Sequence, residues 1–429
     1  MNRFARFWLP RLTVCFLFTH AACALKGHVR DARTGAGIPD AVVTVGDHAV
    51  TTDSAGLFQI DGQGDTILAR APGYRASRST ASEMVRTGGT LQLTPFTPRA
   101  LYLSVYGIGS KSLRSAALGL IRNGSLNAIV IDIKGDRGLI PYPSAIPLVR
   151  TDGARAITTI PDLAALVKSL HNDGIYAIAR IVVFKDSPLA ASRPDLGVKR
   201  ANGQLYRDHE GLAWTDPFQA EVRNYNIAIA VEAARAGFDE IQFDYVRFPD
   251  ISGQLRFAEQ VTEATRVKAI EGFLAEARRQ LLPYNVYLAV DVFGYISWNT
   301  NDTGIGQQLE SLIKVVDYIS PMLYPSCFQY GIPGYRNSVA YPYEIFHNTL
   351  ENAQRRLHVS PKRFRPWVQA FRDYAFDRRA FGPDQVQAQT RAATDFGSDG
   401  WMLWNPRNIY SGIGLEAPAT PNRTTTNHQ

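Results

Sequence analysis

From Arg99 onward a short β-rich run is followed by a longer amphipathic stretch, and the pair repeats until the chain is nearly spent. Eight β-runs can be counted: Leu101 to Tyr106, Ala128 to Lys134, Tyr176 to Phe184, Glu240 to Phe248, Val286 to Phe293, Tyr318 to Tyr324, Arg365 to Phe371 and Gly400 to Asn405. Strands separated by helices need right-handed crossovers and therefore lie parallel. Eight parallel strands close on themselves, so the pattern predicts an α/β fold of the (β/α)8 TIM-barrel class. Asp216-Pro217 and Gly382-Pro383-Asp384 read as helix starts, with a capping residue before a first-turn proline.

Parity along the strands then selects candidates, because alternate residues of a barrel strand face inward and chemistry gathers at the strands' C-terminal ends. Asp132 and Lys134 close the second strand on one face, Arg180 lies in the third, Asp244 in the fourth and Asp291 in the fifth. The sixth offers Tyr324, the seventh Gln369 and the eighth Trp404 with Asn405. Asp244 is the foremost candidate, since it sits in the apolar run FDEIQFDYVRFP, where a charge survives only if paired or used. Arg247, three residues on, or a nearby base is expected to keep it ionised. Arg180 and Lys134 read equally as structural counter-charges for Asp132. Tyr324 and Trp404 read as rim packing or as faces for a sugar to stack on. Asp136 and Arg137 are expected to shape the loop after the second strand, Asp216 to cap a helix and Trp214 to pack beneath it.

Before the barrel the chain is organised differently. Residues 1–24 read as a leader: Arg3, Arg6 and Arg11, then an apolar run Leu12 to Phe18, then Ala22-Cys23-Ala24 before the cleavage point. Export to the periplasm, cell envelope or extracellular space is the expectation. Cleavage lowers the formal charge of +7 by three arginines and removes Cys15 and Cys23, leaving Cys327 alone. A lipid anchor at Cys23 is the lesser alternative, because His20-Ala21-Ala22 lacks the leucine of a lipobox. No later stretch has the ~20 apolar residues of a transmembrane helix. No basic stripe interleaved with aromatics speaks for nucleic acid. Residues 25–96 alternate short strands with turn chemistry at Thr34-Gly35, Asp53-Ser54-Ala55-Gly56 and Pro72-Gly73, which predicts a small antiparallel all-β sandwich. The stretches GHVRDARTGAGIPDAVVTV, TTDSAGLFQI and ARAPGYRA resemble the carboxypeptidase regulatory-like domain, which implies an accessory role. The barrel domain is expected over residues 97–415 and a disordered tail, rich in proline, threonine and asparagine, over 416–429.

Absent motifs narrow the chemistry. There is no HExxH and no paired histidines or acidic calcium loop for a metal, no glycine run for phosphate, and no GxSxG elbow for an esterase; neither cofactor nor metal is expected. The stretches IVIDIKGDRG, IYAIARIVVFKD, WTDPF, FDEIQFDYVRFP, VDVFG and SPMLYPS together resemble a bacterial glycoside-hydrolase family with a (β/α)8 barrel. That resemblance covers residues 99 to 412 and implies hydrolysis of a polysaccharide or oligosaccharide. Against the chitinase pattern DGxDxDxE, Asp239 and Asp244 match, but Gln242 and Val246 stand where the middle Asp and the catalytic Glu belong. A second carboxylate must then come from another strand. The resemblance implies Asp244 as nucleophile or charge stabiliser and Asp291 as general acid, or the reverse, with Asp132, Lys134, Arg180, Arg247, Tyr324, Gln369 and Trp404 as substrate contacts. Two other readings are a barrel that binds carbohydrate without cleaving it, and a lyase using Tyr324 with Lys134 or Arg180. Oligomeric state is left open.

Overall fold

The computed structural model describes residues 24–415 apart from 63 and 125. The expected leader, Cys23 with its lipid-anchor alternative, and the tail from Glu416 lie outside the described residues. Strands β1 (Leu25–Asp31), β2 (Val42–Val45), β3 (His48–Thr51), β4 (Leu57–Ile60), β5 (Thr66–Arg70), β6 (Ser77–Thr80) and β7 (Thr90–Leu93) form two sheets, ordered β4-β1-β7 and β3-β2-β5-β6. Alternation puts Val29, Val43, Ile60, Ile67 and Leu91 into one small apolar core. The domain is all-β as expected, with two departures. β7 runs parallel to β1, because the chain crosses to the other sheet between them. A short helix, Ala81–Arg86, also precedes β7. Its start is a capping box that the sequence reading passed over: Thr80 Oγ1 accepts from Glu83 N at 3.2 Å and Glu83 Oε2 from Thr80 N at 2.8 Å.

The second unit is a closed barrel of eight parallel strands: β8 (Arg99–Leu103), β9 (Ala128–Lys134), β10 (Tyr176–Val182), β11 (Glu240–Asp244), β12 (Tyr287–Phe293), β13 (Tyr318–Met322), β14 (Trp367–Gln369) and β15 (Trp401–Trp404). β15 pairs with β8 and completes the ring. Two apolar layers follow from strand parity. Ala100, Val130, Ile178, Ala289 and Met402 fill the lumen, while Ile129, Ile131, Leu288 and Val290 face the helices with Val167, Ile229, Phe273 and Leu350. Several strands stop earlier than the hydrophobic pattern suggests. β11 ends at Asp244 rather than Phe248 because Tyr245 takes a left-handed φ of 50°, which no strand can continue through.

Parity fails once, and it displaces a candidate. Asp132 pairs with Arg180 and Lys134 with Ile181, so the register slips between them by one residue. Lys134 therefore turns out toward the helices instead of sharing Asp132's face. Its Nζ lies 2.6 Å from Asp186 Oδ2, 2.8 Å from Asn226 Oδ1 and 3.1 Å from the Val183 carbonyl.

The turn after β5 closes the barrel's N-terminal end. Tyr287 Oη lies 2.9 and 2.8 Å from the carbonyls of Ala71 and Tyr74, and Gly73 N donates to Asp399 Oδ2 at 3.0 Å. Asp317 fastens the seam, accepting from Arg70 Nε at 3.3 Å, Arg278 Nη1 at 3.0 Å and Leu288 N at 2.9 Å. Burial alone would raise its pKa, but Arg70 and then Arg278 outweigh burial and hold it down to about 2. A depressed carboxylate stabilises the fold above its ordinary range and ceases to as pH falls through its folded value. The seam is thus expected to weaken between pH ~4 and ~2, and Asp317→Asn to cost about 3 kcal/mol or more by stranding Arg70. Denaturant unfolding of native and variant protein across that pH window checks both, and an Asp317→Asn protein as stable as the native at pH 7 contradicts them.

Candidate active site

One inward residue from each of several neighbouring strands meets in a single layer at the C-terminal mouth, with Arg180 at its centre. Its Nη1 donates to Asp132 Oδ1 at 2.7 Å and its Nη2 to Asp136 Oδ1 at 2.9 Å. Asp244 Oδ2 accepts from Nη2 at 2.6 Å and from Nε at 3.0 Å, while Asp291 Oδ2 stands 3.9 Å from Nε. Two rings flatten the other side: Tyr102 and Trp404 stack at 4.0 Å between centroids, with the guanidinium carbon 4.8 Å from the Trp404 ring. Trp367 Nε1 donates to Asp291 Oδ1 at 2.7 Å, and Tyr102 Oη to Asp132 Oδ2 at 2.6 Å.

One buried cation cannot neutralise four ionised carboxylates, and the protonation states divide accordingly. Burial pushes Asp132 up to about 7 despite the opposing pull of Arg180. Asp291 is raised well above the carboxylate range, first by burial and then by the charge of Asp244. Its Oδ2 has no hydrogen-bond partner among the described residues, which makes it the natural seat of the proton. Asp244 instead receives donors on both oxygens, the second from Tyr245 N at 2.5 Å. Three hydrogen bonds fix the orientation of this carboxylate.

A cavity of about 160 Å³ opens over this layer, walled by Asp136, Arg180, Asp244, Tyr245, Arg247, Phe293, Gln307, Met322, Tyr324, Trp367 and Trp404. Larger hollows lie elsewhere, three beside the helix Glu263–Leu281 and one on the small domain, but none is lined by the inward residues of the barrel strands. Of the residues singled out from sequence, Asp244, Arg180, Arg247, Tyr324 and Trp404 reach the cavity wall. Asp291 does not: it is fully enclosed beneath the floor, packed by the strand ends and Trp367. Asp132 is likewise sealed below Arg180.

Four expectations are corrected. Of the two partners expected for Asp244, the nearby base holds, as Arg180, and Arg247 does not; it donates to Asp250 at 2.8 Å and to the Phe248 carbonyl at 3.0 Å, lying between the rings of Trp214 and Phe293. Lys134 points into the helix layer, as the register slip requires, and so is no substrate contact. Gln369 is spent on the loop after β13, its Oε1 accepting from Ser326 N at 3.1 Å and its Nε2 donating to Ser326 Oγ at 2.7 Å. Asp216 caps no helix. It accepts from Phe218 N at 2.9 Å and Ala258 N at 2.6 Å, tying two loops together, and the helix Ala220–Arg235 begins after Gln219.

Residues the sequence reading left aside also belong to the site. Asp136, read as loop-shaping, stands on the cavity wall with its side chain 38% exposed. Trp367 had a usable signal, since it lies on the inward parity of the seventh strand. Tyr245 had none, because a positive φ in an aromatic residue leaves no mark in sequence.

A parallel eightfold barrel with carboxylates gathered at its C-terminal mouth is a glycosidase-like architecture. Residues 100–410 match the family described as "Putative glycosyl hydrolase domain", and the chain belongs to that family. No curated protein matches the chain significantly. Among solved structures, a hypothetical protein from Ruminiclostridium thermocellum is 39% identical over 45% of this chain and 97% of its own, with a TM-score of 0.40. The glycoside hydrolase domain of PgaB (BpsB) from Bordetella bronchiseptica is 13% identical over 76% of this chain and all of its own, with a TM-score of 0.53, a likeness of fold. The glycoside hydrolase domain of PelA from Pseudomonas aeruginosa is 15% identical over 74% of this chain and 98% of its own, at 0.42.

The site's integrity is expected to hinge on Arg180. Arg180→Gln removes the cation that bonds Asp132, Asp136 and Asp244 and approaches Asp291, and is expected to destabilise the protein by about 3–5 kcal/mol at pH 7. The loss shrinks as pH falls and the carboxylates protonate. Denaturant melts at pH 7 and pH 5 measure this, and a deficit that grows on acidification contradicts it.

Proposed function

We propose that the protein is an exported glycoside hydrolase acting on a polysaccharide, with Asp244 as the charged carboxylate facing the scissile bond. The observation that carries this reading is a carboxylate, Asp244, open to the cavity and held by three hydrogen bonds, with a second carboxyl, Asp291, behind it that burial pushes well above the carboxylate range. Hydrolysis through an oxocarbenium-like transition state needs negative charge beside the anomeric carbon and a proton for the departing oxygen. Asp244 supplies the first. Asp291, enclosed beneath the floor, does not meet the sugar and cannot be the acid that touches the leaving oxygen. Kept neutral behind Asp244, it adds no competing negative charge to the site. The second carboxyl on the cavity wall is Asp136, which we assign to the leaving-group side. Arg180 spaces Asp136 from Asp244 and fixes both. Tyr324, Trp367 and Trp404 provide apolar faces against which a sugar ring packs. The leader read from the sequence fits this role, since an exported chain meets polymers outside the cell.

A non-catalytic carbohydrate-binding barrel is the second reading, and the sealing of Asp291 is the observation that favours it. The two separate on turnover. Against a panel of bacterial cell-wall and exopolysaccharides, Asp244→Asn is expected to lower release of reducing ends at least ~10³-fold and Asp136→Asn ~10²-fold. Asp291→Asn is expected to retain more activity than either. Polysaccharide binding by the native protein with no reducing ends released selects the binding reading. Equal turnover by native protein and Asp244→Asn removes Asp244 from the mechanism.

A further inference from the structure

Six of the eight large hydrophobic side chains exposed among the described residues belong to the barrel domain: Tyr106, Ile251, Tyr330, Tyr341, Tyr374 and Ile409. Every one follows the C-terminal end of a strand, and four are tyrosines. Scattered exposed apolar residues are ordinary, but confinement to one end of a barrel marks a contact surface. Only Tyr106 lies on a helix, the short one over Val105–Gly109 directly after β8.

One of the six is joined to the cavity by an unbroken run of rings. Tyr324, on the cavity wall, meets Phe371 edge to face at 5.3 Å and 77°. Phe371, half-buried, lies almost parallel to Tyr374 at 6.3 Å and 11°. Tyr374 is 45% exposed, although nothing about a tyrosine in a surface loop requires a fixed position. The loop nonetheless fixes it. Asp373 Oδ2 accepts from the backbone N–H groups of Phe376 and Asp377 at 2.9 Å and of Arg378 at 3.0 Å. Its Oδ1 takes the Ser326 hydroxyl at 2.7 Å, and Tyr374 Oη lies 3.1 Å from Cys327 Sγ. A ring held rigid while its face meets water suits a flat, partly apolar ligand, because little entropy is lost on contact.

We propose that Phe371 and Tyr374 form a ledge that binds further sugar units of the polysaccharide whose reacting unit occupies the cavity. The inference rests on the glycoside hydrolase reading and specifies its substrate as a polymer gripped outside the cavity. The occupant follows from continuity and size. A cavity of about 160 Å³ has room for about one sugar ring, and the ledge begins at that cavity's own wall.

The test is affinity electrophoresis of the full chain in its Asp244→Asn form through gels containing soluble chitosan, alginate, xylan or dextran, alongside binding of the matching disaccharides. Expected is retardation by at least one polymer, weakened roughly tenfold by Tyr374→Ala and restored by Tyr374→Phe, which keeps the ring. Disaccharide binding is expected to stay unchanged in Tyr374→Ala, because the cavity is intact. Undiminished polymer binding by Tyr374→Ala overturns the ledge, as does an equal loss for polymer and disaccharide; turnover of polymer by the native chain in either case leaves the hydrolase reading standing. A native chain that neither retains nor cleaves any of the four polymers overturns both.

Discussion

A single buried guanidinium organises the mouth of this barrel. Arg180 touches carboxylates from three other places in the chain and approaches a fourth, and it is almost fully buried. With one positive charge for four acids, full ionisation would leave a large uncompensated charge in a medium that cannot screen it. The acids that lie deepest therefore give way. Asp132 and Asp291 keep their protons most readily, while Asp136 and Asp244 are the two that reach the cavity. The chemical division of labour among the carboxylates thus follows from depth and from one shared counter-ion.

Strand register delivers these groups. Arg180 stands opposite Asp132 on one side and Gln242 on the other, so its side chain reaches Asp244 one inward step higher. Groups fixed on strands are held more closely than groups on loops, which suits a site that must keep its geometry while charge develops. The end of β11 adds a device of its own. Tyr245 turns left-handed directly after Asp244, and this aims its N–H at the carboxylate it follows. For a residue of that size the conformation costs about 1–3 kcal/mol. Packing against Trp214 and the cation of Arg247 holds it there. At the opposite end the small domain closes the barrel, with buried tyrosines on the barrel side and backbone carbonyls on the other. That seam makes the N-terminal sandwich a part of the barrel's floor rather than a free appendage.

The eight strands and their parallel order were legible because alternation of short β-rich and longer amphipathic runs admits few other folds. The inward parity of Asp132, Arg180, Asp244 and Asp291 was legible for the same reason. Where the reading went astray, a local irregularity intervened. One slipped residue in β9 turned Lys134 to the other face, and a loop brace consumed Gln369. Arg247 was assigned to Asp244 on nearness in sequence, but after the left-handed turn at Tyr245 its side chain runs along the rim.

The sequence by itself determined the closed parallel barrel, the small β-domain ahead of it and the end of the barrel where polar groups collect, because hydrophobic period and turn chemistry are local and additive along the chain. Only the tertiary structure decided which of those groups meet a ligand and which are sealed away. Exposure, shared counter-ions and protonation depend on what distant strands place beside a residue: Asp291 lies on the expected strand and face, yet Trp367, 76 positions further along, covers it.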